Sequence, residues 1–220
     1  METVSVSGRL AALLAKTIIT GAIVVLAFIA SSQSAKAEGP LDGLYIVGLG
    51  GYERYSLDFK SDGLKLDLGH ISGTGGGVVL GWDLEVDDWH LAVEGEFIVS
   101  GASETVIVDV GGDVFTSILD VKRSYGLAAR YGYAFGGDVF VYGRLGWTRS
   151  KVSLSVTGPD LAVSGAINVD GISYGAGVEW AISNRVSLRG EYIRTNYENI
   201  LGQPLHPIRD AFRGGLALRF

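Results

Sequence analysis

From Leu44 to the C-terminus the chain alternates, apolar residues against small or polar ones, with a period of two residues. That period belongs to strands whose two faces meet different surroundings. The first stretch sets Tyr45, Val47 and Leu49 against Gly48, Gly50 and Arg54, and the second sets Val78, Leu80, Trp82 and Leu84 against Gly77, Gly81, Asp83 and Glu85. The third sets Trp89, Leu91, Val93 and Phe97 against His90, Ala92, Glu94 and Glu96. In the fourth, Tyr125, Leu127, Ala129, Tyr131 and Tyr133 oppose Ser124, Gly126, Ala128, Arg130 and Gly132. Four more follow, carrying Arg144 in the fifth, Glu179 in the sixth, Arg189 and Glu191 in the seventh, and Arg213 and Arg219 in the eighth, each on the non-apolar parity.

Tight turns are predicted at Asp87-Asp88, Gly136-Gly137-Asp138 and Ser183-Asn184-Arg185, that is, at alternate junctions. Eight alternating strands joined this way predict an all-β fold, an eight-stranded antiparallel up-and-down barrel. The non-apolar parity is mostly glycine, alanine and serine with charges of both signs among them, which suits the crowded interior of a narrow barrel. The apolar parity must then face lipid, which makes the barrel transmembrane. Aromatic residues fall in two bands. Tyr45, Trp82, Trp89, Tyr133, Trp180 and Phe220 lie near the short turns, and Phe59, Phe97, Tyr125, Trp147, Tyr192 and Phe212 near the long loops. Such bands are expected at the two membrane interfaces.

Residues 1–37 read as an address. Arg9 and Lys16 precede an apolar run from Thr17 to Ala30, and Ala35-Lys36-Ala37 forms an Ala-x-Ala site. These are the parts of a secretory signal peptide cleaved after Ala37, leaving 38–220 as the barrel. The run is shorter than the roughly 20 apolar residues of a spanning helix.

Composition narrows the function. The 220 residues include 33 glycines, 4 prolines and no cysteine, so disulfides, thiolate metal sites and a cysteine nucleophile are excluded. An apolar fraction of 47% and a charged fraction of 19% are those of a folded chain. A formal charge of −6, without any basic cluster, argues against a nucleic-acid partner.

The segment Asp170-Gly-Ile-Ser-Tyr-Gly-Ala-Gly-Val-Glu-Trp-Ala-Ile-Ser-Asn-Arg-Val-Ser-Leu-Arg-Gly-Glu-Tyr192, the opening Leu44-Tyr-Ile-Val-Gly-Leu-Gly-Gly-Tyr52 and the ending Gly215-Leu-Ala-Leu-Arg-Phe220 resemble small bacterial outer-membrane barrels. These are the OmpA-like transmembrane domain, OmpX and the opacity-type surface antigens of the porin family. The resemblance implies a place in the outer membrane of a Gram-negative bacterium among outer-membrane lipid and lipopolysaccharide. It also implies that Phe220, the C-terminal aromatic, is the signal read by the outer-membrane assembly machinery.

Candidate chemistry begins with the lumen charges. Asp83, Glu94, Glu96, Glu179 and Glu191 stand against Arg54, Arg130, Arg144, Arg189, Arg213 and Arg219. Charges confined in a narrow lumen need opposite partners, so the near balance of signs predicts a salt-bridge network that closes it. A narrow porin-like channel built from the same residues is the alternative. A lipid A-modifying enzyme is a third reading, because His70-Ile71-Ser72 has the His-x-Ser spacing of lipid A deacylases. In those enzymes, however, the pair lies in the last third of the chain beside an asparagine, whereas Gly73 follows here. His90 and His206 stand alone, no pair has metal-ligand spacing, and neither cofactor nor catalytic residue is assigned. The clusters Gly48-Leu-Gly50-Gly51 and Gly73-Thr-Gly-Gly-Gly77 lack the Lys-Ser/Thr and helix of a phosphate loop.

The alternation also overruns the bilayer. The third strand continues from Trp89 to about Val110 before Gly111-Gly112-Asp113, and the fifth continues through Val152-Ser-Leu-Ser-Val156 to Gly158-Pro159-Asp160, with the sixth resuming at Leu161. Arms of that length exceed the ~9–11 residues needed to cross, so the excess projects about 20 Å outward as hairpins. A host or surface ligand is expected to meet the protein there, giving a structural and surface-interaction role rather than catalysis.

Overall fold

The computed structural model describes residues 41–61, 64–110, 113–159, 161–198 and 205–220. The signal peptide expected at 1–37, Gly111-Gly112 and Asp160 lie outside these residues. Nine strands run in order: β1 (Gly43–Ser61), β2 (Leu64–Val86), β3 (Trp89–Ser100), β4 (Ser103–Val110), β5 (Asp113–Phe135), β6 (Val139–Gly158), β7 (Leu161–Ala181), β8 (Val186–Tyr197) and β9 (Leu205–Arg219). Every pairing is antiparallel. The single sheet closes because β3 pairs with β5 on one side and β2 on the other, while β9 pairs with β1. The ring therefore has eight members, with β4 standing above it on β5 alone. Closure leaves no lipid-facing edge with unpaired backbone groups. Among the described residues no helix is long and apolar enough to cross a membrane.

The alternation predicts the second to eighth crossings correctly, face included. Glu94, Glu96, Arg130, Arg144, Glu179, Arg189 and Arg213 are buried inward, whereas Leu80, Tyr131, Leu145, Trp180 and Leu216 point out and are more than half exposed. At one short turn Gly136 and Gly137 both take positive φ, 62° and 80°. Consecutive positive φ values match the twist of a tight hairpin, and glycine adopts them without strain.

The first crossing is a correction. Tyr45, Val47, Glu53 and Tyr55 face inward, and Gly48, Gly50 and Arg54 face outward. Register decides the face: Tyr45 pairs with Gly81 and Arg219, both lumen residues, and a one-residue slip would turn every side chain over. Tyr45 is thus not an interface aromatic, although Trp82, Trp89, Trp180 and Phe220 are exposed at that end.

The third crossing is also interrupted. Gly101 and Ala102 separate β3 from β4. The Gly101 amide bonds the Thr74 carbonyl at 2.9 Å, and the Ala102 carbonyl accepts from the Val121 amide at 3.0 Å. Below this point β3 bridges β2 and β5. Above it β2 follows β1, and β4 follows β5. A register shift between Val121 and Arg123 in β5 falls at the same level. The wall splits there.

Candidate functional site

Above the split, β4, β5, β6 and β7 continue as a four-stranded blade. Cross-strand pairing puts Val106, Ser117, Val156 and Val163 side by side, then Leu119 beside Leu154, then Val121, Val152 and Ile167. Val121 belongs to the buried cluster at the top of the lumen, with Leu119 and Val152 packed against it, so this apolar face is the inner one. The reverse face carries Thr105, Ile118, Ser155 and Ser164, and Asp120, Ser153 and Ala166. Among the described residues, Leu161–Val169 of β7 pairs only with β6, and β4 only with β5, so the blade has two open edges. The β7 edge holds no charged residue, whereas β4 carries Glu104 and Asp109.

The lumen below is layered. At the short-turn end Leu41, Ala134, Phe140, Tyr142 and Ala181 form an apolar floor, with Leu41 fully buried. At the other end Tyr55, Ile71, Ala102, Val121, Val169 and Tyr197 form an apolar lid, in which the rings of Tyr55 and Tyr197 stack at 6.5 Å. Floor and lid exist because β1, β6 and β8 keep their alternation beyond the charged zone but change the residue type.

Between them lie the charges. Arg130, with no exposed surface, reaches Glu179 at 2.8 Å, Glu94 at 3.1 Å and Asp83 at 3.3 Å. Its guanidinium also sits over the rings of Tyr142, Tyr45 and Phe140 at 4.6, 5.2 and 5.3 Å. Asp83 is shared with His90 Nδ1 at 2.9 Å, and Glu179 with Arg219 and the Ser187 hydroxyl. One step up, Glu94 accepts from the Tyr45 hydroxyl at 2.8 Å and meets Arg189 at 2.7 Å and Arg144 at 3.3 Å. Glu96 meets Arg144 at 2.7 Å and Arg213 at 3.1 Å. Glu191 meets Arg213 at 2.7 Å and Arg189 at 3.3 Å. Beneath the lid, Glu53 accepts from the Tyr55 hydroxyl at 3.1 Å and lies 3.5 Å from Arg209.

Among the described residues the buried aspartates, glutamates and arginines are six carboxylates (Glu53, Asp83, Glu94, Glu96, Glu179 and Glu191) against six arginines (Arg130, Arg144, Arg189, Arg209, Arg213 and Arg219). Each carboxylate has a guanidinium within 3.5 Å. An isolated charge here would cost several kcal/mol or more, so the interior is matched one for one. Glu94 and Glu96, which the i, i+2 spacing offers as an acid–base pair, are each held by at least two guanidiniums.

The structure therefore brings together Asp83, Glu94, Glu96, Arg130, Arg144, Glu179, Arg189, Glu191, Arg213 and Arg219. It removes Arg54, which faces outward because of the register of β1. Glu53 and Arg209 are the members that sequence reading misses. The correct face for β1 would expose the first, and carrying the eighth alternation back two residues from Ala211 would expose the second. His70 and Ser72 sit on the outward parity of β2 on either side of Ile71, which turns into the lid. Among the described residues no cluster of three His, Asp or Glu side chains is arranged to hold a metal ion.

A model of the outer membrane protein beta-barrel domain matches residues 23–220. Among curated proteins none matches the chain. Solved structures similar to it include the attachment invasion locus protein Ail of Yersinia pestis, in complex with the heparin analogue sucrose octasulfate, at 17% identity and a TM-score of 0.46, covering 81% of this chain and 100% of that one. Neisserial surface protein A is 16% identical at a TM-score of 0.46, covering 81% and 100%. The outer membrane protease OmpT of Escherichia coli is 8% identical at a TM-score of 0.47, covering 84% and 99%. A ring of strands with a charge-matched interior, an apolar exterior and the family match lead to one conclusion: the chain belongs to the outer membrane protein beta-barrel family and is an integral protein of the bacterial outer membrane.

Proposed function

We propose that the protein acts at the cell surface as a binding element carried on a closed membrane anchor. The observation that supports this reading is the blade above the split, with its apolar inner face and two open edges. Backbone groups on an open edge accept an extended partner strand, and neighbouring side-chain positions select it. The uncharged edge of β7 lacks the charges that proteins commonly use to keep strands apart. On this reading the floor, charge layers and lid close the lumen, and the barrel holds the blade in place. Phe220 serves assembly: it is 73% exposed at the end of β9, and its amide donates to the Leu44 carbonyl at 3.0 Å.

The test removes residues 103–120 and 151–169, replacing each with a short turn, and displays both forms on cells. Adherence to one another and to surfaces coated with extracellular-matrix proteins is scored. The trimmed form should keep its heat-modifiable gel mobility and lose adherence. Equal adherence would overturn the proposal.

A further inference from the structure

The β7 edge of the blade is complementary to itself. Leu161–Val169 pairs with β6 on one side and, among the described residues, with no strand on the other. Every residue from Ala162 to Asn168 is exposed. Val163 and Ile167 stand on the apolar inner face, beside Val156 and Val152, and are 58% and 41% exposed. Ser164 and Ala166 stand on the reverse face, beside Ser155 and Ser153. Turned end for end about Gly165, the segment keeps this pattern: Val163 comes opposite Ile167, Ser164 opposite Ala166, and Ala162 opposite Asn168. Side chains that meet across an antiparallel pair share a face. Each apolar residue therefore meets an apolar one and each small or polar residue its like, with no charge between Leu161 and Val169.

Gly165 itself is the second observation. Its φ is not positive, and a Cβ there would meet nothing within 4 Å, so neither the backbone nor the packing of a single chain calls for glycine. A bare residue in a strand suits the close approach of another backbone, and in this register it is the position that faces its own copy. The other open edge has a different character. β4 carries Glu104 and Asp109 within its 8 residues, and charged side chains on an edge hold strands apart.

Resting on the reading of the blade as a binding element, we infer that its partner is a second copy of this chain in a facing membrane, joined β7 to β7 by antiparallel pairing of residues 162–168 about Gly165. The facing membrane follows from strand direction. In every copy within one membrane β7 descends from the long-loop end to the short turn at Ser183-Asn184-Arg185, so neighbours side by side present parallel edges. A twofold axis normal to a sheet continues that sheet with an antiparallel strand and makes the same patch serve both copies. Such an axis through Gly165 lies across the membrane normal and turns one copy upside down relative to the other. The product is one eight-stranded sheet, four strands from each blade, bridging two surfaces.

The test reconstitutes the full barrel in phosphatidylcholine vesicles of two colours and counts two-colour coincidence after mixing. Wild-type vesicles should cluster. Val163→Lys and Ile167→Glu should each lower coincidence at least about tenfold while keeping heat-modifiable mobility, because a charge then meets an apolar residue at both symmetric positions. Mixing vesicles of one variant with vesicles of the other should restore clustering, since the new lysine then faces the new glutamate. Absence of wild-type clustering, clustering insensitive to both variants, or failure of the mixture to restore it would overturn the inference. Adherence of cells to matrix-coated surfaces reports on the blade separately. If that adherence persists where vesicles do not cluster, self-pairing fails and the blade remains a binding element for another partner. If the barrel trimmed of its blade clusters and adheres like the wild type, both fail.

Discussion

The ring of Tyr45 occupies the space that a side chain at Gly81 would need: a Cβ there would lie 2.3 Å from both Cζ and the hydroxyl oxygen. Gly177 stands in the same relation to Tyr142, at 2.4 Å from its hydroxyl oxygen. Interior glycines thus admit the tyrosines whose hydroxyls reach Glu94 and Glu191.

Gly81→Ala should therefore destabilise the barrel by about 1–3 kcal/mol through overpacking. Gly48→Ala, whose new methyl meets nothing within 4 Å, should leave stability unchanged or raise it by up to about 1 kcal/mol. Urea titration of barrels refolded in lipid vesicles separates the two. Equal effects would show that the Tyr45–Gly81 contact does not constrain the fold.

Arg130→Met should cost about 3–5 kcal/mol, because Asp83, Glu94 and Glu179 lose a shared, fully buried cation. Arg149→Met is the control. Its pair with Asp170 is 2.6 Å long, but the side chains are 38% and 26% exposed, so the loss should stay below about 1 kcal/mol. The same urea titration measures both.

In planar bilayers the wild-type barrel should carry no steady current, since an apolar floor, matched charges and an apolar lid follow one another along its axis. Alanine at both Glu94 and Arg144 removes a matched pair from the middle of the lumen and should give discrete openings. Steady openings of the wild type would favour the channel reading.

Glu198 gives a pH dependence outside the membrane. Burial, reinforced by the Asp170 carboxylate and partly opposed by Arg149, pushes its carboxyl above the ordinary carboxylate range. A carboxyl raised on folding penalises the folded state once it ionises, so stability falls as pH rises through the folded value. Glu198→Gln should raise the unfolding midpoint near pH 7. Near pH 3, below the usual carboxylate pKa of about 4, it should change nothing. A lower midpoint at neutral pH would reverse the sign.

Much of this was legible in the alternation. Seven of the eight crossings carry their charges on the predicted parity, because a face of small residues and balanced charges contrasts with a face of Leu, Val and Trp. The first crossing was not legible, since its local pattern offers two faces of similar character: Tyr45 and Val47 on one, Ile46 and two glycines on the other. What settles it is the pairing of Tyr45 with Gly81 and Arg219, which lie 36 and 174 positions away. The break at Gly101-Ala102 has the same origin. The alternation carries the third strand through those residues to about Val110, and only the divergence of β2 from β5 turns them into the place where the wall parts. Glu53 follows from the same pairing of β1, whereas Arg209 lies on the parity of Ala211 and Arg213 and only needed the eighth alternation to be carried two residues further back.

The one-for-one matching of the lumen has a consequence for how such a chain changes over generations. A substitution that deletes one of the twelve buried charges strands another, so drift at these positions has to come as coupled exchanges between strands. The outward wall, where any apolar residue meets lipid equally well, is under no such constraint. Related barrels should therefore vary freely on their outer parity while their interiors change in concert, a pattern of covariation rather than of identity.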